Sequence, residues 1–247
     1  MSPKPSKADR TSAVSMEEVQ KAQEARNADH AAHQMIQVLE EEIVLGVLHP
    51  RERLVEDELM ARFSTKRHVV RQALADMEKQ GLVQRKKNSG AQVRALSPKE
   101  VVEIYALREI LETSSVRLIS LPVPPARLAP LVAIQKLHTA AVRANDPRAV
   151  FRANLAFHAA LHALSGNDTL IEAIAEYARR TYPVRLSTLV SPAYLRQARQ
   201  DHEDIIKALR VGDLDRLVDL CASHLRPSRD TYLMNLKRLG QLEVDAA

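Results

Sequence analysis

The chain of 247 residues is long enough for two modest domains, its 45% apolar content suffices for buried cores, and its formal charge is only +5. A single cysteine, Cys221, excludes an internal disulfide framework, and no apolar run approaches the roughly 20 residues that a bilayer span needs. Lys4, Lys7 and Arg10 precede no apolar stretch that would make a secretory signal, so the expectation is a soluble cytoplasmic protein, with Cys221 a small buried apolar residue.

In chain order, residues 1–27 are rich in Ser, Pro, Lys and acids without apolar periodicity and are expected to form a flexible tail. From about Ala28, the stripe Met35, Ile36, Leu39, Ile43 and Val44 predicts a helix ending near Gly46. Residues 59–94 predict a helix, a tight turn, a second helix and a two-stranded wing. In the second helix Val70, Ala73, Leu74 and Met77 recur at i, i+3, i+4 and i+7, so they form a buried stripe and leave Arg67 and Arg71 on another face. Gly81 supplies a left-handed stop, Leu82 to Arg85 turn toward strand character, and Asn88-Ser89-Gly90 reverses the chain. This is the pattern of a winged helix-turn-helix spanning 28–96.

Charge agrees with that reading. Residues 62–95 hold Arg62, Lys66, Arg67, Arg71, Lys79, Arg85, Lys86, Lys87 and Arg94 against Asp76 and Glu78. Guanidinium groups on one helix face can bridge guanine acceptors in a major groove, and clustered lysines displace counterions from phosphates. The expected partner is duplex DNA, read by a two-fold homodimer because one winged helix covers only a few base pairs.

Leu96-Ser97-Pro98 marks a boundary, after which strand signals vanish and amphipathic segments follow. Their expected spans are 98–120, 126–144, 147–164, 168–190, 192–211, and 213–243 with a break at Pro227. The predicted fold is therefore mainly α, the winged domain followed by an antiparallel bundle of about six helices over 97–235 and a C-terminal tail over 236–247.

Within the bundle Asn154 and His158 lie one turn apart, with His202 and His224 on two later helices. Three imidazoles and an amide oxygen would suit Zn, Ni, Fe or Mn with positions open for water or a ligand, although spacing across separate helices does not fix convergence.

The run Phe63-Ser64-Thr65-Lys66-Arg67-His68-Val69-Val70-Arg71-Gln72-Ala73-Leu74 resembles the recognition helix of the GntR family of bacterial transcription regulators, in the branch typified by FadR and VanR. His49-Pro50-Arg51-Glu52-Arg53-Leu54, Gly81-Leu82-Val83 and Asn88-Ser89-Gly90-Ala91 are similar to that family's strand entry, helix stop and wing. The resemblance implies DNA contacts from Lys66, Arg67, His68 and Arg71 on the helix and from Lys86, Lys87, Ser89 and Gly90 on the wing. Lys66, His68 and Val69 replace the usual Ser, Thr and Pro, so the operator sequence does not transfer, and Ser64 or Thr65 is expected to cap the helix instead.

The segments Leu107-Arg108-Glu109-Ile110-Leu111-Glu112, Asn154-Leu155-Ala156-Phe157-His158, Asp201-His202-Glu203 and His224-Leu225 resemble the FCD effector-binding domain of the same branch. That implies a metal held by Asn154, His158, His202 and His224, and an effector carboxylate gripped by Arg108, whose bland alternative is a structural ion pair. Asn154, where many relatives carry Asp, weakens the site or makes it depend on an anionic ligand; His162 is a secondary candidate donor, more readily read as a pocket or surface residue. The expected function is a repressor released by a small carboxylate metabolite. The alternatives are a metal-dependent hydrolase, with Glu203 as a possible base, and a nonspecific architectural DNA binder.

Overall fold

The computed structural model describes residues 16–86, 90–189 and 191–238. The winged domain comprises α1 (Met16–Val44), β1 (Arg53–Leu54), α2 (Glu56–Arg62), α3 (Arg67–Lys79), β2 (Val83–Lys86) and β3 (Gly90–Val93). The three short strands form an antiparallel sheet in the order β1-β3-β2, with Arg53 opposite Gln92 and Val83 opposite Val93. Met35, Leu39 and Val44 of α1 meet Val70, Ala73, Leu74 and Met77 of α3 in its core, so the predicted stripes are the buried ones.

Two local expectations for the winged domain are corrected. Helix α1 begins at Met16, not near Ala28, because residues 16–27 are rich in strong helix formers even though they offer no apolar face to bury. Neither Ser64 nor Thr65 caps α3: Lys66 occupies the N-cap in an extended conformation and makes no side-chain cap bond, while Ser64 lies in the turn at φ +48°. The stop at Gly81 is as expected, with φ +75° and the amide of Leu82 donating to Met77 O at 3.0 Å.

The helical domain contains α4 (Pro98–Arg117), α5 (Pro125–Ala144), α6 (Pro147–Ala163), α7 (Asp168–Arg180), a 3-10 turn (Tyr182–Val184), α8 (Leu186–Leu189), α9 (Pro192–Val211) and α10 (Leu214–Arg238). Ser97 opens α4 with a capping box: its hydroxyl accepts from the Glu100 amide, and the Glu100 carboxylate accepts from the Ser97 amide. The expected helix over 168–190 is divided, since Pro183 has no N–H to continue the ladder and restricts Tyr182 before it. Conversely α10 runs through Pro227 unbroken. Leu225 before the proline and Tyr232 and Leu233 after it pack with Leu96, Val101 and Tyr105, which holds both halves in line.

Two features of this arrangement position the candidate site. Phe157, Leu161, Ile205, Leu209 and Leu217 form the bundle core, with Cys221 buried among them as expected. The winged-domain core does not stop at the boundary: Ala141, Val150, Phe151, Tyr182, Leu189 and Leu195 of the helical domain belong to the same apolar cluster.

Candidate functional site

Helix α3 presents Lys66, Arg67, His68 and Arg71 to solvent, with the Arg67 and Arg71 side chains 49% and 60% exposed. Both arginines are held by acids of α2: Arg67 Nη2 donates to Asp57 Oδ1 at 2.6 Å, and Arg71 Nε to Glu56 Oε2 at 3.0 Å. Lys86 ends β2, and Gly90 opens β3 at φ +73°. Lys87 and Ser89 lie outside the described residues.

In the helical domain, α6 brings His158, α9 His202 and α10 His224 together, so that one ring nitrogen of each lies within 4.8 Å of the others. Asn154, one turn before His158, lines a cavity of about 30 Å³ together with His158 and His224. The imidazoles are oriented from behind. His202 Nδ1 lies 2.9 Å from Gln135 Oε1, and His224 Nδ1 lies 2.9 Å from Asp201 Oδ2. Phe157 stacks on the His202 ring at 3.8 Å between centroids, fixing its plane. With Nδ1 of His202 engaged, its Nε2 is buried without a partner, as is Nδ1 of His158.

Burial, reinforced by the field of His224, holds His158 and His202 well below the ordinary histidine range, so both are neutral near pH 7 and have a lone pair to give. Asp201 is partly buried, which by itself would raise its carboxyl, but hydrogen bonds from His224 and Gln197 with the charges of His224 and Arg216 together outweigh that and lower it, keeping the acceptor ionised. Orphaned buried nitrogens, neutral imidazoles and backing acceptors together fit a divalent metal.

Arg108 lines this cavity, yet its guanidinium is engaged within the fold: Nε donates to Glu112 Oε1 at 2.9 Å and Nη1 to Thr181 Oγ1 at 3.1 Å. The ion-pair alternative is therefore present in the structure. His162 is buried, with Nδ1 3.2 Å from Ser115 Oγ and Nε2 3.6 Å from Glu112 Oε2, and it lines a neighbouring cavity. Glu112, His158 and His162 form a second group of close donors.

Two residues of the cavity escaped the sequence reading. Arg185, between the 3-10 turn and α8, has its Nε buried, and its guanidinium makes no hydrogen bond or ion pair among the described residues. His138 of α5 is 1% exposed, has an unpartnered Nδ1, and stands 4.9 Å from His202 between ring centroids. Burial, with the His224 field, lowers it to about 4. The sequence did carry a signal for His138: on the buried face of α5, Leu128 and Leu131 are followed at helical spacing by the polar Gln135 and His138. Arg185 carries no such signal, because it lies where the helical period is broken.

The chain matches the model of the FCD domain over residues 103–227 and that of "Bacterial regulatory proteins, gntR family" over residues 31–93. It is 32% identical over 200 residues to an HTH-type transcriptional regulator in an unstable DNA locus of Streptomyces ambofaciens, covering 78% of each chain. It is 26% identical over 176 residues to the Nta operon transcriptional regulator of Aminobacter aminovorans, covering 70% of this chain and 79% of that one. In fold it is similar to E. coli McbR/YncC (TM-score 0.69, 22% identity, 85% of this chain and 97% of that one) and to a regulator from Rhodococcus sp. RHA1 (TM-score 0.71, 21% identity, 82% and 97%).

Proposed function

The chain belongs to the GntR family of bacterial transcription regulators and carries an FCD domain, and from that premise we propose a homodimeric cytoplasmic repressor released by a small carboxylate. Membership of a family of regulators sets aside the hydrolase alternative. The DNA-contacting set is Lys66, Arg67, His68 and Arg71 with Lys86, Lys87, Ser89 and Gly90 of the wing. Specific recognition by this face, rather than architectural binding, is supported by two exposed arginines one turn apart on α3, a fork geometry that can read base edges.

The observation that carries the sensing half is the convergence of His158, His202 and His224 around unpartnered buried nitrogens. With Asn154 they would hold Zn, Ni, Fe or Mn, and the metal when bound would offer a coordination position to a carboxylate oxygen. Arg185 supplies the charge partner for that carboxylate, with Arg108 beside it as a second, already engaged cation. Arg185 also lies in the segment that touches the winged domain: Tyr182 belongs to the core shared with α1, and Leu186 packs against Gly46 at the end of α1. A ligand that seats Arg185 differently biases how the two domains sit, and with them the spacing of two recognition helices.

The test uses full-length protein on a duplex selected from random DNA. It should bind as a dimer, carry metal as isolated, and release the duplex when a small carboxylate is added. His202→Ala should keep DNA binding while losing metal and the response. A protein that stays monomeric on DNA, or an unchanged metal content in the variant, would overturn the corresponding part.

A further inference from the structure

The histidine cavity, at about 30 Å³, has room for about two water molecules, too little for the body of a metabolite. A second cavity of about 200 Å³ opens between α6 and α7 and shares Arg108, His158 and Arg185 with the first. Its walls beyond those three residues are largely apolar, built by Leu155, Ile171, Ile174 and Ala178. Ala159 on α6 and Ala175 on α7 are exposed, one on each helix, and their short side chains leave the rim open.

The charges around this space are mostly spoken for. Glu112 is taken by Arg108 at 2.7 Å and Arg179 by Glu40 at 3.4 Å, which leaves Arg185, whose guanidinium stands 5.9 Å from the Tyr182 ring centroid, as the cation without a hydrogen bond or ion pair among the described residues. A ligand in this cavity thus meets one cation free of ion pairs at the end shared with the histidines, the Glu112 and His162 pair on the α4 side, and largely apolar surface elsewhere. An apolar cavity of about 150 Å³ is large enough for benzene, which sets the scale of what fits.

We propose that the effector is a monocarboxylate bearing a compact apolar body about the size of a benzene ring, its carboxylate at Arg185 and its body between α6 and α7. This deepens the carboxylate reading above and rests on it. A polyhydroxylated acid has more hydroxyls than Glu112 and His162 can pair, and would leave the rest unpaired against Leu155, Ile171 and Ile174, which binding does not repay.

The test is calorimetric titration of the full-length protein with acetate, benzoate and gluconate. Benzoate should bind on the order of a hundredfold more tightly than acetate, and gluconate no more tightly than acetate. Ala178→Leu, which fills the cavity, and Ala159→Leu, which narrows its rim from an exposed position that tolerates change, should each cost benzoate at least roughly tenfold and leave acetate unaffected. Acetate and benzoate binding equally, or benzoate binding unchanged in both variants, would overturn the apolar-body inference while leaving the carboxylate reading standing. No binding of either carboxylate would overturn both.

Discussion

Arg108 and Glu112 face each other across one turn of α4, both side chains 4% exposed, with Nη2 2.7 Å from the carboxylate. Burial by itself would raise the Glu112 carboxyl, yet Arg108 and His162 outweigh it and hold it down at about 2, so the pair is charged. Removing one partner strands the other in the interior; Glu112→Ala is expected to lower unfolding stability by about 3–5 kcal/mol, read from urea denaturation. A loss under about 1 kcal/mol would mean that Arg108 finds another partner or water. Gln135 and Asp201 act differently, through the imidazoles they orient. Asp201→Ala should weaken metal binding about 10- to 100-fold in competition with a chelator, with all four proposed ligands intact. Undiminished metal affinity would reduce Asp201 to a surface acid.

Helix α3 was legible from sequence because one face had to be apolar to meet α1 while the other is polar and basic, and a 3.6-residue period separates the two. Its start was less legible, since Lys66 gives no capping oxygen and the turn rests on the left-handed Ser64. The ion pairs from Arg67 and Arg71 to α2 are solvent-exposed and worth at most about 1 kcal/mol each, so DNA can replace them at little cost. Arg67→Ala and Arg71→Ala should each weaken specific binding by about 1–3 kcal/mol without changing metal content, measured against competitor random DNA at fixed salt. Intact operator affinity in the double variant would remove α3 from the interface. Elsewhere, proline positions alone misled. Pro183 ends a helical run beside a polar Thr181 that accepts from Arg108, whereas Pro227 is carried through by packing on both sides.

At the scale of the molecule, the two domains share one apolar cluster in which α1 contacts the segment around Arg185. At Gly46, just past α1, φ is +70°, and a Cβ there would collide with Leu186 Cδ2. Gly46→Ala is thus expected to shift α8 or strain α1, lowering the melting temperature and blunting carboxylate-driven release of DNA while carboxylate affinity stays within about threefold. Wild-type coupling in that variant would place the communication elsewhere. The sequence by itself determined the winged domain, the run of helices and the identity of the histidines, because helical periodicity, turn glycines and short motifs are local properties of the chain. Only the tertiary structure decided that His158, His202 and His224 converge, that Arg108 is spent on Glu112, and that Arg185 and His138 enter the cavity. Those outcomes depend on how α4, α5, α6, α9 and α10 pack, and the angle and register of that packing bring together residues that no spacing along the chain relates.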